Sequence, residues 1–293
     1  MMAQLVQLWR HEWSKTPQTT APDAPFGLVS LSPHDGEGAG DMGSFRWAQQ
    51  ASYGTVPNPL MTNAFMAHGY DLQDPWTGNT GACLEQPLSD YDCRTPWYMG
   101  PMIHPRLKKP VGQRLAIGAL RAAYGRGGGS GGGVIQGCSL TPGHLLLRFN
   151  MSGRTLTLRK YNRSNTVSSA TSVLVNASDG RALWLPVDIS LGTTPGTVVA
   201  DLSSLPSGAS PPLGVRYAWG ALDKRGNADP RTDDVSCCEG NGVAQACLPA
   251  QCPLMARAPL APFGGLPVDP FVAKIIDDKC LCPEPQTCSA PMS

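Results

Sequence analysis

The sequence predicts an α/β portion followed by an all-β one, and three observations carry that expectation. Residues 110–125 hold the apolar period of a helix. Beyond residue 134 the chain alternates, with β-branched residues and Gly, Pro and Asp turns, the texture of a β-sandwich or jelly roll. Between them lies "GRGGGSGGG" (125–133), by composition a flexible joint. With 293 residues there is room for one large or two medium domains. The expected division is an α/β portion over 1–125, a Gly-rich linker over 126–133, a β-rich portion over 134–275 and a Cys/Pro-rich tail over 276–293.

In order along the chain, "AQLVQLWRHEW" places Leu5, Leu8, Trp9 and Trp13 at helical spacings and reads as the end of a helix. "FGLVSLS" reads as a short strand with Phe26 and Leu28 inward, stopped by Pro33. "TNAFMAHGYDL" reads as a buried strand leading into a long polar loop, 71–101. From Pro110, Val111, Leu115, Gly118, Ala119 and Ala122 share one face of small residues, suited to close packing on a sheet. Arg114 and Arg121 are expected to face away, and Gly125 supplies the left-handed stop. The stretches 144–161, 171–189 and 197–222 read as strands, whereas 225–293 reads as loop-rich. No internal repeat is present.

Composition narrows the function classes. Lys+Arg is 23 against Asp+Glu 22, a net charge of +1, so no basic face for nucleic acid is expected. The run Arg106-Leu107-Lys108-Lys109 is too short to make one and reads as a solvated helix approach. No stretch approaches the roughly 18–20 consecutive apolar residues of a membrane span. The opening residues lack a secretory apolar core, since Trp9-Arg10-His11-Glu12 interrupts it. The cysteines argue for a secretory compartment all the same. Of the ten, Cys237, Cys238, Cys247, Cys252, Cys280, Cys282 and Cys288 crowd the end of the chain, and Cys83 and Cys93 bracket a loop-closing disulfide. Zinc is the competing reading, but no pair has C-x₂-C spacing and no histidine follows Cys237. Three sequons, at Asn150, Asn162 and Asn176, point the same way as disulfides.

Five histidines are candidates for chemistry: His11, His34, His68, His104 and His144. None forms an H-x-x-x-H pair, so no helical metal site is expected. His11 and His34 read as surface, His68 as a core histidine with a backbone partner, and His144 as a strand opener. His104 ends a long loop, with Pro105 holding its backbone extended before the helix. Catalytic histidines of α/β layers sit on such loops, but a His-Pro pair by itself reads equally well as structural. The G-x-S-x-G match at Gly128–Gly132 has a helix before it and glycine around it, not the strand–turn–helix of a nucleophile elbow.

"IHPRLKKPVGQRLAIGALRAAYG" resembles the His-Pro block of the sialate O-acetylesterases, SGNH-type serine esterases. "LWRHEW", "APFGLVSLSP", "FRWAQQASYGTVPNPLMTNAFMA" and "DLQD" resemble that family's preceding blocks in order, and "LWLPV", "GVRYAWG", "CLPAQCPL" and "LPVDPFVA" its β-rich end. The resemblance covers most of 4–124 and patches of 134–275. It implies the C-terminal part of an SGNH-type α/β hydrolase domain followed by a β-sandwich or jelly-roll-like accessory domain. It further implies hydrolysis of acetyl esters on sialic acid or related sugars, with no metal or other cofactor, in the secretory pathway. His104 corresponds to the general base. The nucleophile Ser block is not present: the chain has neither Gly-Gln-Ser nor Gly-Asp-Ser. Many family members carry an Asp two or three residues before the histidine, where this chain has Met102 and Pro101; of Asp71, Asp74, Asp90 and Asp92 further back, Asp92 or Asp74 is the expected orienting acid, with a backbone carbonyl as the alternative. Arg46 and Gln49, in the "FRWAQQ" block, are expected to bind substrate, with Trp47 a cleft or core residue. Trp184 and Trp219 read as packing or sugar-stacking, and Arg216 as structurally paired. A non-catalytic carbohydrate-binding paralogue, or one half of a split esterase completed by a Ser-bearing N-terminal half, are the competing readings.

Overall fold

The structure is a computed structural model, and it describes residues 1–32, 41–72, 108–126, 131–158, 171–219 and 254–282. Its first portion is built on two parallel strands, β1 (Phe26–Val29) and β2 (Ala64–Ala67), paired from Phe26 with Ala64 to Val29 with Ala67. Parallel strands need a crossover, and α2 (Asp41–Gln49) lies in it. Helix α3 (Lys109–Tyr124) follows β2 and packs on both strands. Gly27 permits that approach: a Cβ there would lie 2.8 Å from the Phe65 ring and 3.3 Å from Leu115. Pro110 opens α3, and Gly125 closes it at φ 64° while the Gly125 and Arg126 amides bond back to Arg121 and Leu120 carbonyls.

Two helices dock by faces that spacing alone does not identify. Helix α1 (Met2–Ser14) forms, but Val6 and Arg10 are buried while Leu5, Leu8, Trp9 and Trp13 stay exposed. The inward arginine is satisfied: its Nε donates to the Ala24 carbonyl at 2.9 Å and Nη2 to that of Asn63 at 3.2 Å. A periodic apolar stripe reveals a helix; which side docks depends on partners distant in sequence. On α3 the inward line is Pro110, Arg114 and Gly118, so Arg114 faces in rather than away.

The rest is antiparallel. Strands β3 (Val134–Thr141) and β4 (His144–Asn150) form a hairpin closed by Pro142 and Gly143, the glycine at φ 77°. Strands β5 (Leu156–Leu158), β6 (Thr171–Asn176), β7 (Ala182–Pro186), β8 (Asp188–Leu191), β9 (Thr197–Asp201) and β10 (Gly214–Tyr217) follow. The segment read as loop-rich adds β11 (Leu254–Arg257), β12 (Gly265–Pro267), β13 (Phe271–Lys274) and β14 (Lys279–Leu281). At three or four residues each they are too short to display a period of two. The sheets run β14-β3-β4-β9-β8, β13-β10-β6-β7 and β12-β11-β5.

Leu145, Leu147 and Phe149 alternate inward along β4 and meet Val198 and Ala200 of β9, Val173 and Val175 of β6, and Phe271 of β13. Trp47 and Tyr70 from the first portion belong to this same cluster. A second, smaller cluster of Val6, Leu28, Met61, Ala64 and Met66 lies under α1. The described end of the glycine run, Gly131–Gly133, is held rather than free. The Gly132 amide donates to the Pro267 carbonyl, the Gly133 carbonyl accepts from Asp269, and Arg154 donates to the Gly131 carbonyl. A disulfide joins Cys138 of β3 to Cys280 of β14, directly opposite in register.

Candidate functional site

Parallel strands present their ligand sites at their carboxyl ends, and here the polar side chains gather there. β1 runs on into Ser30, Leu31 and Ser32; β2 runs on into His68, Gly69, Tyr70 and Asp71. The Gly69 amide donates to Ser30 Oγ at 2.9 Å, His68 Nδ1 lies 3.3 Å from that same oxygen, and Ser32 Oγ donates to the Gly69 carbonyl at 3.0 Å. On its other side, His68 Nε2 sits 2.9 Å from Asp269 Oδ1, an ion-pair contact rather than a well-aligned hydrogen bond.

Serine, imidazole and carboxylate thus stand in the order of a nucleophilic triad. All three are almost fully buried, with Ser30 1%, His68 2% and Asp269 5% exposed. Buried this deeply and bonded to one another, the three act as a clamp. It ties the ends of β1 and β2 to the turn between β12 and β13. His68 was expected to have a backbone partner; its ring instead uses two side chains, one of them some 200 positions away.

Beside the clamp, Arg114 and Asp71 form a fully buried bidentate pair, Nη1–Oδ1 at 2.5 Å and Nη2–Oδ2 at 2.8 Å, and Nη1 also donates to the His68 carbonyl. Two charges are tolerated here because each is met by the other in fork geometry. Tyr70 donates its hydroxyl to the Val268 carbonyl, and burial pushes its pKa well above the usual range. The Asp71–Arg114 pair thus ties the end of β2 to α3.

His104, Asp74 and Asp92 lie outside the described residues. Arg46 and Gln49 are described, on α2. Arg46 Nε donates to the Leu31 carbonyl at 2.9 Å, with its guanidinium 5.8 Å from the Tyr70 ring centre. Gln49 accepts from the Leu31 amide and donates to the Val29 carbonyl, both at 3.0 Å. These bonds fix the backbone leaving β1. Trp47 is buried, 5.8 Å from Trp219 and packed against Gly54, where a Cβ would fall 2.4 Å from the indole. Among the described residues no group of three His, Cys, Asp or Glu side chains is placed to hold a metal, and no helix is long and apolar enough to cross a membrane. The position of His68 just past a strand was the one legible sign of the clamp; nothing in the sequence pairs it with Asp269.

No family model matches the chain. It is similar to the sialate O-acetylesterase of Pongo abelii, 28% identical over 277 residues, which is 93% of this chain and 42% of that protein. The Homo sapiens sialate O-acetylesterase gives the same identity and coverage. That of Rattus norvegicus is 30% identical over 223 residues, 75% of this chain and 35% of that protein. The chain therefore spans less than half the length of these curated relatives. Among solved structures, a carbohydrate acetylesterase from Xanthomonas citri superposes at a TM-score of 0.55 and 19% identity, over 94% of this chain and 45% of that one. That likeness is one of fold.

Proposed function

Because the chain is similar to sialate O-acetylesterases over most of its length, we propose that it is the C-terminal portion of an esterase that removes acetyl groups from sialic acid or a related sugar. The observation that carries this is the match over 93% of the chain to proteins of that name. In this reading residues 1–125 complete an SGNH-type α/β domain, 126–133 join it to a β-rich accessory domain over 134–275, and 276–293 form a tail. The placement of buried polar residues at the carboxyl ends of β1 and β2 supports it, since parallel sheets present their ligand sites at that edge. The disulfide between Cys138 and Cys280 supports a secretory location.

His104 acts as general base. It takes the proton from a serine hydroxyl as that oxygen attacks the acetyl carbonyl, then returns it to the sugar alkoxide as the ester bond breaks. Water hydrolyses the acetyl-serine by the same route, releasing acetate. Asp92 or Asp74 orients the imidazole. The serine comes from the N-terminal half, on the same polypeptide or a separate one, and no cofactor takes part. The test is acetate release from O-acetylated N-acetylneuraminate by the 293-residue chain, alone and with a Ser-bearing N-terminal half. Release only when the two halves are combined is expected; none from the combined protein would overturn the reading. The lack of any Gly-Gln-Ser in this chain favours a second reading, a carbohydrate-binding protein without turnover, which predicts glycan binding and no acetate from either sample.

A further inference from the structure

Arg216, expected to be structurally paired, has no carboxylate partner among the described residues. It sits on β10, only 6% exposed, with its guanidinium 4.4 Å from the centre of the Trp184 ring of β7. Its Nε is sealed from solvent with no hydrogen-bond partner among the described residues, and no hydrogen bond from the terminal fork is found there either. Burial alone lowers its pKa, to about 9, so it is charged at neutral pH.

The sheet register explains how the pair forms. Arg216 lies opposite Ser172 and Val272; one pair further along the same face come Gly214, Leu174, Trp184 and Lys274. A Cβ at Gly214 would stand 3.4 Å from the Trp184 ring, so the indole reaches across β6 to lie against β10. The indole then backs the guanidinium as a plane, holding the fork in one orientation. Lys274 puts a second cation on that face. A planar fork on an aromatic plate, with a lysine nearby and no acid paired with it among the described residues, is matched by a carboxylate taken bidentately.

We propose that Arg216 and Trp184 form a subsite for the carboxylate of a small ligand, an acidic sugar or a simple carboxylic acid. The subsite is independent of esterase turnover; the proposed function enters only in the choice of probe. Calorimetric titration of the 293-residue chain would compare N-acetylneuraminate, its methyl ester and acetate. The acid is expected to bind at least about tenfold more tightly than the ester. Arg216→Gln should abolish that preference without lowering Tm, because it removes an unpaired buried charge. Arg216→Lys keeps the charge, loses the fork and should bind the acid several-fold more weakly. Acetate competing with the acid names a simple carboxylate as sufficient; binding by the sugar acid alone names an acidic sugar. Equal binding of acid and ester, an unchanged preference in Arg216→Lys, or no binding of the acid up to about 10 mM would overturn the proposal. Because the readout is binding, a negative here leaves acetate release, and the esterase reading, to its own test.

Discussion

At residue scale the buried polar groups separate by what they touch. Arg114 and Asp71 compensate one another without water, so removing one partner leaves a buried charge alone. Arg114→Met should cost about 3–5 kcal/mol in urea denaturation, and adding Asp71→Leu should recover most of it. A cost as large in the double variant would show that the pair itself was not the issue. Ser30 satisfies both the Gly69 amide and His68 Nδ1. Ser30→Ala should therefore cost about 1–3 kcal/mol while leaving acetate release by the completed esterase in place. Loss of release with an unchanged fold would instead make Ser30 a nucleophile. Gly132 tolerates no side chain, since a Cβ would lie 2.2 Å from the Leu266 carbonyl oxygen and 2.3 Å from that of Pro267. None of these roles shows in sequence. A charged residue at a helical position reads as solvent-facing until its partner is known, and a glycine-rich run reads as flexible whether or not backbone lies against it.

At the scale of elements, periodicity was legible and orientation was not. α3 announced itself through Pro110, its apolar spacing and Gly125, and those same features open and close it. α1 was legible too, yet its bulky residues point outward because Arg10 finds two carbonyls inside. The contrast is measurable: Val6→Ala should cost about 1.5–3 kcal/mol, while Leu8→Ala stays within about 0.5 kcal/mol. Equal costs would mean that the helix docks by its other face. The strands after residue 254 escaped sequence reading because each is held by neighbours rather than by its own pattern. β14, only three residues long, is stapled to β3 by the Cys138–Cys280 disulfide, which closes a separation of 142 residues. Serine at both positions should lower stability by about 2–5 kcal/mol and expose β14 amides to hydrogen exchange ahead of those of β4. Exchange unchanged at β14 would show that strand pairing alone holds it.

At the scale of the whole molecule, the α/β beginning and the β-rich remainder were legible from texture, but their joining was not. Trp47 and Tyr70 enter the same hydrophobic cluster as the β strands, and Asp269 reaches His68 across the fold. Such contacts link residues far apart in the chain, which no local pattern records. The consequence is that the turn between β12 and β13, itself held by the glycine segment, braces the carboxyl ends of β1 and β2. We propose His104 as the base of an acetylesterase completed by a serine-bearing half. The most direct measurement is acetate release from O-acetylated N-acetylneuraminate by the completed protein, wild type beside His104→Ala at matched folded fraction. The account predicts a loss of at least about 10²-fold in kcat for His104→Ala, as expected on removing a general base. Turnover undiminished by that substitution would contradict it.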